Sequence, residues 1–270
     1  MKNRKNRIEM AETSNIATFL KEGLFERVCG LSLFERGISN TPNGPTPNPR
    51  ESFDLQLKEG DEQYPYNGNV ESHLLSSIDD QLVVQAILRL AEVYEEMTGV
   101  VPNNVVVNRY GGAWESIGKH KDSNAKTKVG KVLSLTLGPV ARIFAYWTPD
   151  GDGRIKKNKI MLRHSSLIWF DDCPHAVEKA VKSGTTKAKF DACECNGDAK
   201  KCVVRGMECT NCEAAGRPLC KCCCSRINIT VRRHELVQRV AKRSRSTSSF
   251  SSVGLTEEEE EEKESNKRQK

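Results

Sequence analysis

Long apolar runs are missing from this sequence, and so is the apolar core of a secretory signal. No stretch approaches the roughly eighteen apolar residues that a membrane-spanning helix requires. The first residues, MKNRKNRIEMAETSN, are charged and contain no hydrophobic segment of a signal peptide. These absences predict a protein that has no membrane partner and works inside the cell, in the nucleus or the cytoplasm.

Cysteine is scarce outside one segment, since only two of the eleven cysteines lie outside residues 193–224. In a reducing compartment, such local density favours metal binding over disulfides. Within the segment, Cys209 and Cys212 have the two-residue spacing of a zinc knuckle. We therefore interpret residues 189–224 as a Cys-rich insert that binds Zn(II), with an unstructured, redox-active loop as the alternative. The candidate zinc ligands are Cys193, Cys195, Cys202, Cys209, Cys212, Cys220, Cys222, Cys223 and Cys224.

The length of 270 residues suffices for one good-sized core but not for two large domains with tails. We predict a flexible N-terminus at residues 1–12, one domain at 13–238, and a disordered tail at 239–270, which is charged and of low complexity. The net charge of +6 includes an acidic run from Glu257 to Glu262, so the remainder is more basic. This excess of positive charge outside the acidic run suits a nucleic-acid partner. We expect the chain to be a monomer.

Apolar spacing changes from helical to alternating near residue 104. Residues 16–33 and 81–97 have helical spacing; Asp79 or Asp80 can cap the second helix, and Gly99 follows it. Residues 39–50, SNTPNGPTPNPR, have the composition of an irregular loop. Further on, alternation predicts the strands VVVNRY, KVLSLTLG, ARIFAYW, KIMLR, SLIWF and RINITVR. This pattern predicts an α+β, mainly β fold, a sandwich or jelly roll with its helices packed outside.

Two histidines and one aspartate are candidate ligands for a non-haem iron. His120 and Asp122 are two residues apart, so on an extended backbone both side chains point to the same side. His175 can supply a third ligand from an adjacent strand, and His164 is the alternative. Two imidazoles and one carboxylate on one face of an octahedron favour Fe(II) and leave the opposite face for cosubstrate and oxygen.

The segment RINITVR alternates polar and apolar residues, so a strand formed by it has one polar and one apolar face. With a period of two, Ile227, Ile229 and Val231 point one way, and the polar residues point the other way. One interpretation is a carboxylate pocket, because a guanidinium pairs with a carboxylate through two parallel hydrogen bonds. The other interpretation is a half-exposed edge strand with solvated arginines. The polar set consists of Arg226, Asn228, Thr230 and Arg232.

Taken together, the motifs N-x-Y at 108–110, H-x-D at 120–122, HAVEK at 175–179 and R-x-N-x-T-x-R at 226–232 resemble the AlkB family of 2-oxoglutarate-dependent nucleic-acid demethylases. The resemblance covers roughly residues 45–180 and the last strand. It implies a double-stranded β-helix with flanking N-terminal helices. It also implies O2 as cosubstrate, and oxidation of an N-methyl group that is released as formaldehyde, in DNA repair or RNA demethylation.

The resemblance also implies a role for each matching residue. His120, Asp122 and His175 would bind Fe(II), and Arg226 would pair with the distal carboxylate of 2-oxoglutarate. Arg232 would lie near the metal-bound end of that cosubstrate. The other implied cosubstrate residues are Asn108, Tyr110, Asn228 and Thr230. A looser match to the family's nucleotide-recognition lid implies substrate contacts at Arg50, Tyr64 and Tyr66.

The residues after the H-x-D pair depart from some repair enzymes of that family. Those enzymes have acidic residues here that bind the flipped base, whereas this chain has Ser123, Asn124, Ala125 and Lys126. Asn124 can still hydrogen-bond the edge of a neutral base. Two alternatives therefore stay open: a 2-oxoglutarate-dependent oxygenase that acts on protein side chains, and a non-catalytic, zinc-binding adaptor on an oxygenase scaffold.

Overall fold

The computed structural model describes residues 8–10, 16–41, 44–61, 72–112, 114–124, 127–138, 140–181, 184 and 226–237. In chain order, the elements are β1 (Ile8–Met10), α1 (Ala17–Lys21), α2 (Leu24–Cys29), β2 (Ile38–Thr41), β3 (Gly44–Pro47), β4 (Glu51–Gln56), β5 (Ser72–Leu74), a 3-10 turn (Leu75–Ser77), α3 (Gln81–Thr98), β6 (Asn104–Tyr110), β7 (Ile117–His120), β8 (Thr127–Leu137), β9 (Arg142–Pro149), β10 (Ile155–Leu162), β11 (Leu167–Asp171), β12 (His175–Val177) and β13 (Arg226–Leu236).

Two sheets dominate the fold. The large sheet has seven strands in the order β1-β11-β8-β13-β6-β4-β5, and the small sheet has four in the order β10-β9-β12-β7. All pairings within them are antiparallel except that of β4 with β5. The predicted mainly β architecture is confirmed, and the arrangement is consistent with a jelly roll.

Two apolar clusters position the sheets and the helices. One cluster joins the helices to the large sheet and includes Val28, Ile87, Leu135 and Ile229. The other contains Phe144 of the small sheet together with Tyr110 and Phe170 of the large sheet. The helices therefore cover one face of the large sheet, and the small sheet packs against the other.

Helix α3 forms where its end residues predict it. The Asp80 carboxylate accepts hydrogen bonds from the backbone N–H groups of Leu82 and Val83, at 3.0 and 3.2 Å. At the other end, Gly99 has φ of 69°, a left-handed conformation that glycine adopts without strain. Apolar residues at helical spacing, such as Val83 and Leu90, are buried against the large sheet.

Two local predictions are wrong. Residues 16–33 form two short helices rather than one, because Gly23, at φ of 79°, ends the first and precedes the second. Residues 39–50 are not simply a loop, because β2 and β3 pair through Ile38–Pro47 to Thr41–Gly44. β2 and β3 form a sheet of only two strands, so no further strand among the described residues pairs with the outer edge of β3. Prolines, which have no backbone N–H to donate, are therefore tolerated at positions 45 and 47.

The Cys-rich insert at 189–224 and the tail at 239–270 lie outside the described residues, as does most of the N-terminal segment 1–12. Their predicted boundaries stay predictions. In the described part of the chain, no helix combines the length and the apolar character needed to cross a membrane.

Candidate active site

A cavity of about 400 Å³ lies between the two sheets. Its lining comes from β6, β8, β11 and β13 of the large sheet, from β7, β9 and β12 of the small sheet, from the loop after β7, and from the segment just before β4. Eleven of the predicted site residues are described, and all but Arg226 line this cavity. The ten are Arg50, Asn108, Tyr110, His120, Asp122, Asn124, His175, Asn228, Thr230 and Arg232.

The proposed metal ligands converge at the cavity. His120 ends β7 and pairs directly with His175, the first residue of β12, so their ring centroids are 4.2 Å apart. Asp122 follows two residues after His120, and its Oδ1 is 3.9 Å from His120 Nε2. One ligand atom from each of the three residues lies within 4.8 Å of the others, a spacing at which they could hold one ion.

Backbone carbonyls orient both histidine rings. His120 Nδ1 is 2.9 Å from the carbonyl oxygen of Gly118, and His175 Nδ1 is 2.9 Å from that of Cys173. A carbonyl only accepts, so each Nδ1 must carry the proton and each Nε2 has a free lone pair. Metal-bound histidines have this same arrangement, in which the second ring nitrogen donates to a carbonyl or carboxylate.

Asp122 is held in its charged form by neighbouring cations. Burial alone would raise the pKa of its carboxyl, but Arg232 and the two histidines lower that pKa below its usual range. Arg232 Nη1 donates to Asp122 Oδ1 at 3.0 Å, and Arg232 Nε donates to Asn104 Oδ1, also at 3.0 Å. The carboxylate is therefore available as an anionic ligand.

Two aromatic rings pack against His175, which in turn contacts the His120 ring. Phe144 stacks on His175 with ring centroids 5.4 Å apart, and Phe170 contacts the same ring edge-on at 5.1 Å. Burial, together with the neighbouring His175, lowers the pKa of His120 to about 4. At neutral pH, His120 is therefore the uncharged form that a metal requires.

Strand β13 is an inner strand, so the edge-strand interpretation of RINITVR is wrong. It pairs with β8 on one side and β6 on the other. Ile227, Ile229 and Val231 are fully buried in the helix-side core, as the alternation predicts. Of the polar residues, Asn228, Thr230 and Arg232 line the cavity.

Arg226 is fully buried and does not line the cavity itself, but its hydrogen-bond partner Asn228 does. Its Nη2 donates to Thr136 Oγ1 at 2.9 Å and to Asn228 Oδ1 at 3.2 Å, and its guanidinium lies 5.5 Å from the centroid of the Tyr110 ring. Nε and Nη1 of Arg226 are buried and have no hydrogen-bond partner among the described residues. Burial lowers the pKa of this guanidinium to about 10, so it remains charged at neutral pH. Two buried donors on a cation suit a carboxylate.

Arg50 and Asn108 connect the segment before β4 to the cavity. Arg50 Nε donates to Asn108 Oδ1 at 2.7 Å, and both side chains are buried. Asn124 is exposed. Tyr64, Tyr66 and the nine clustered cysteines lie outside the described residues, so their roles stay predictions. The alternative ligand His164 does not join the metal cluster; its Nδ1 accepts the backbone N–H of Gly138 at 3.1 Å.

The sequence prediction missed Asp172, which holds the loop that contains Asp122. Asp172 Oδ1 accepts the backbone N–H groups of Asp122, at 3.1 Å, and Ser123, at 3.4 Å. These partners are about fifty positions apart in the chain, so no local pattern indicates the contact. The acidic pair Asp171-Asp172, which is separated from His175 by two residues, marks the segment as polar but does not identify its partner.

Three comparisons with known proteins concern this chain. The family model described as the 2OG-Fe(II) oxygenase superfamily matches residues 23–232. A prolyl hydroxylase from Trichoplax adhaerens, solved with a hypoxia inducible factor oxygen degradation domain peptide fragment, is similar in structure: 13% identity, coverage of 85% of this chain and 83% of that one, and a TM-score of 0.45. A 2OG-Fe(II) oxygenase family oxidoreductase from Burkholderia pseudomallei gives 13% identity, 84% coverage of each chain and a TM-score of 0.44.

No curated protein matches the chain in sequence. The family match is decisive, because it spans most of the chain, from the residue before α2 to the middle of β13. The three candidate metal ligands and the buried guanidinium all lie within it. The chain therefore belongs to the 2OG-Fe(II) oxygenase superfamily, whose members use Fe(II), 2-oxoglutarate and O2.

Proposed function

We propose that this oxygenase removes N-methyl groups from bases of DNA or RNA by oxidation, as the resemblance to the AlkB family implies. The observation that supports this most is the register between β6 and β13. Asn108 pairs directly with Asn228, and Tyr110 pairs with Arg226. The two motifs that resemble the family's cosubstrate residues are therefore adjacent at the cavity, although more than a hundred positions separate them in the chain.

In this proposal, His120 and His175 would bind Fe(II) through Nε2, and Asp122 would bind it through a carboxylate oxygen. The donor set fits that ion, since both lone pairs are free and the carboxylate is charged. The unpartnered donors of Arg226 fit the distal carboxylate of 2-oxoglutarate. Arg232 would hold Asp122 in place and lie near the other end of the cosubstrate.

When bound, iron with 2-oxoglutarate supplies the oxidising power that an N-methyl C–H bond requires. Succinate and carbon dioxide would be the coproducts, and the oxidised methyl group would carry one oxygen atom of O2 as a hydroxyl. The hydroxymethyl product then breaks its C–N bond and leaves formaldehyde and the N–H base. The chain contributes positioning and exclusion of water: Phe144 and Phe170 shield His175, and carbonyls fix both rings.

The charge of the cavity favours an anionic polymer that presents a neutral base. Among the described lining residues, four permanent cations face one carboxylate. Lys119 and Lys121 are exposed beside His120, where they can meet phosphates, whereas Arg50 and Arg232 are buried deeper. A positively charged methylated base would be repelled by these two guanidiniums. A neutral one can still hydrogen-bond Asn124 at the rim.

Formaldehyde release from methylated single-stranded oligonucleotides tests the proposal. We expect release from a base methylated on its exocyclic nitrogen to exceed release from the same base methylated on a ring nitrogen, which is cationic. Release should require Fe(II) and 2-oxoglutarate, and His120→Ala should abolish it. The control is His164→Gln, which removes a histidine outside the cluster and should retain activity. Oxidation of peptides without any formaldehyde from oligonucleotides would contradict the proposal and favour a protein substrate.

A further inference from the structure

The outward side of the small sheet has a cluster of lysines around one tryptophan, called here the lysine face (Lys119, Trp147, Lys157, Lys159 and Glu178). Trp147 on β9 pairs directly with Lys157 on β10. The Lys157 ammonium lies 5.3 Å from the centroid of the indole ring, and the Lys119 ammonium lies 4.8 Å from the same centroid. One indole therefore positions two ammonium groups that come from the two opposite edges of the sheet.

The lysine face has an excess of positive charge. Lys157 and Lys159 share one carboxylate, since Glu178 Oε1 is 2.8 Å from the first ammonium and 3.0 Å from the second. Lys119 has no carboxylate within ion-pair distance among the described residues. Three cations against one anion leave a net charge of about two, held in place by ion pairs and by the indole ring.

The lysine face and the lining of the cavity share one residue, Lys119. Lys119 immediately precedes His120, and it both lines the cavity and contacts Trp147. A polynucleotide with one base in the cavity would have its neighbouring phosphates just outside. We propose that the lysine face binds the sugar-phosphate backbone of the substrate strand, next to the nucleotide whose base enters the cavity. This inference rests on the proposed function.

Lysines on edge strands have a second explanation, because they prevent a sheet from pairing with another chain. That role needs charges along each edge, but no convergence on a single side chain. Here Lys119 from β7 and Lys157 from β10 meet over one indole, across the two strands between them. Convergence beside the cavity favours a binding surface over protection of the edges.

The salt dependence of oligonucleotide binding tests the inference. Affinity of the full chain for a labelled, methylated single strand would be measured by fluorescence anisotropy over a range of salt concentrations. The slope of log affinity against log salt concentration is negative, and each lost phosphate contact reduces its magnitude by about 0.7 on single strands. We expect the double variant Lys157→Gln/Lys159→Gln to reduce the slope by about 1 to 1.5. Glu178→Gln, which removes the one negative charge, should instead tighten binding.

A matched control is Lys131→Gln, since Lys131 lies 4.7 Å from the centroid of the Trp169 ring but does not line the cavity. That variant should bind as the wild type does. Formaldehyde release from a methylated mononucleoside, which has no flanking phosphates, should be equal in the wild type and the double variant. A wild-type slope in the double variant would overturn the inference and leave the proposed function intact. Absence of formaldehyde from every nucleic-acid substrate of the wild type would overturn both.

Discussion

Asp172 and Asp122 are joined by a hydrogen bond from the backbone N–H of Asp122 to the Asp172 carboxylate, at 3.1 Å. The same carboxylate oxygen accepts the N–H of Ser123 at 3.4 Å, and the Asp172 backbone N–H donates to the Gly130 carbonyl at 3.0 Å. Asp172 thus fixes the backbone of the residue that carries the candidate carboxylate ligand, and it is not itself one of the three residues that could hold a metal ion.

Asp172→Ala is expected to weaken Fe(II) binding about 10-fold or more, because groups that orient metal ligands typically contribute that much. Co(II) can replace Fe(II) as a spectroscopic probe, and its visible absorption reports both affinity and ligand geometry. Asp172→Asn keeps an oxygen acceptor at the same position and should retain most of the affinity. Equal losses in the two variants would show that the acceptor atom does not position Asp122.

Arg226→Met is expected to raise KM for 2-oxoglutarate by about 10- to 100-fold, since hydrogen bonds to charged groups contribute about 1.5–3 kcal/mol. Succinate formation over a range of 2-oxoglutarate concentrations measures the effect. Co(II) binding should be unchanged, because Arg226 is not a ligand. Arg226→Lys restores the charge without the planar fork and should recover only part of the affinity. An unchanged KM in both variants would contradict the assigned role.

Asp80→Ala is expected to lower the free energy of unfolding by about 1 kcal/mol, the usual cost of losing an N-cap. Two backbone N–H groups, those of Leu82 and Val83, would lose their acceptor. Urea denaturation followed by circular dichroism measures the change. The neighbouring Asp79 makes no cap hydrogen bond in α3, so Asp79→Ala is the matched control and should be close to neutral. A larger loss in the control would contradict the assignment of the cap.

The metal-free protein is expected to lose stability as the pH falls from about 6.5 to about 4. Burial and the adjacent His175 depress the pKa of His120 from 6.5 to about 4 in the folded state. In that range the unfolded chain binds a proton at this position that the folded chain does not, so acid favours unfolding. Thermal unfolding of metal-free protein across the range measures the slope. His120→Gln should make it shallower, and an unchanged slope would assign the effect to other groups.

The sequence predicts elements whose determinants are local. Helix α3 has its cap, its apolar spacing and its terminal glycine within about twenty residues, so its limits could be predicted to within one or two positions. The alternation in RINITVR likewise predicts which side chains face the core and which face the cavity. Its position inside the sheet could not be predicted, because strand neighbours depend on pairing with β6 and β8.

Elements that depend on distant partners could not be predicted. Strand β4 contains the charged residues Glu51 and Asp54, yet Asp54 is buried because Asn104 Nδ2 and Ser72 Oγ donate to its carboxylate, at 2.7 and 3.0 Å. The resemblance placed Asn108, Tyr110 and Arg226 in one site, and the pairing of β6 with β13 brings these residues together. The resemblance did not indicate Asp172, because its contact with Asp122 joins two segments that are distant in the chain.

The central position of β13 has a consequence for synthesis of the chain. Because this strand lies between β6 and β8 but comes last among the described elements, a nascent chain that has not reached residue 226 leaves both partners with open edges. Three of the polar residues that line the cavity belong to this late strand, so the cavity is incomplete until the strand has paired. Pairing over such long sequence separations is slow. Nascent chains that stall before residue 226 are therefore expected to be inactive, prone to aggregation and dependent on chaperones.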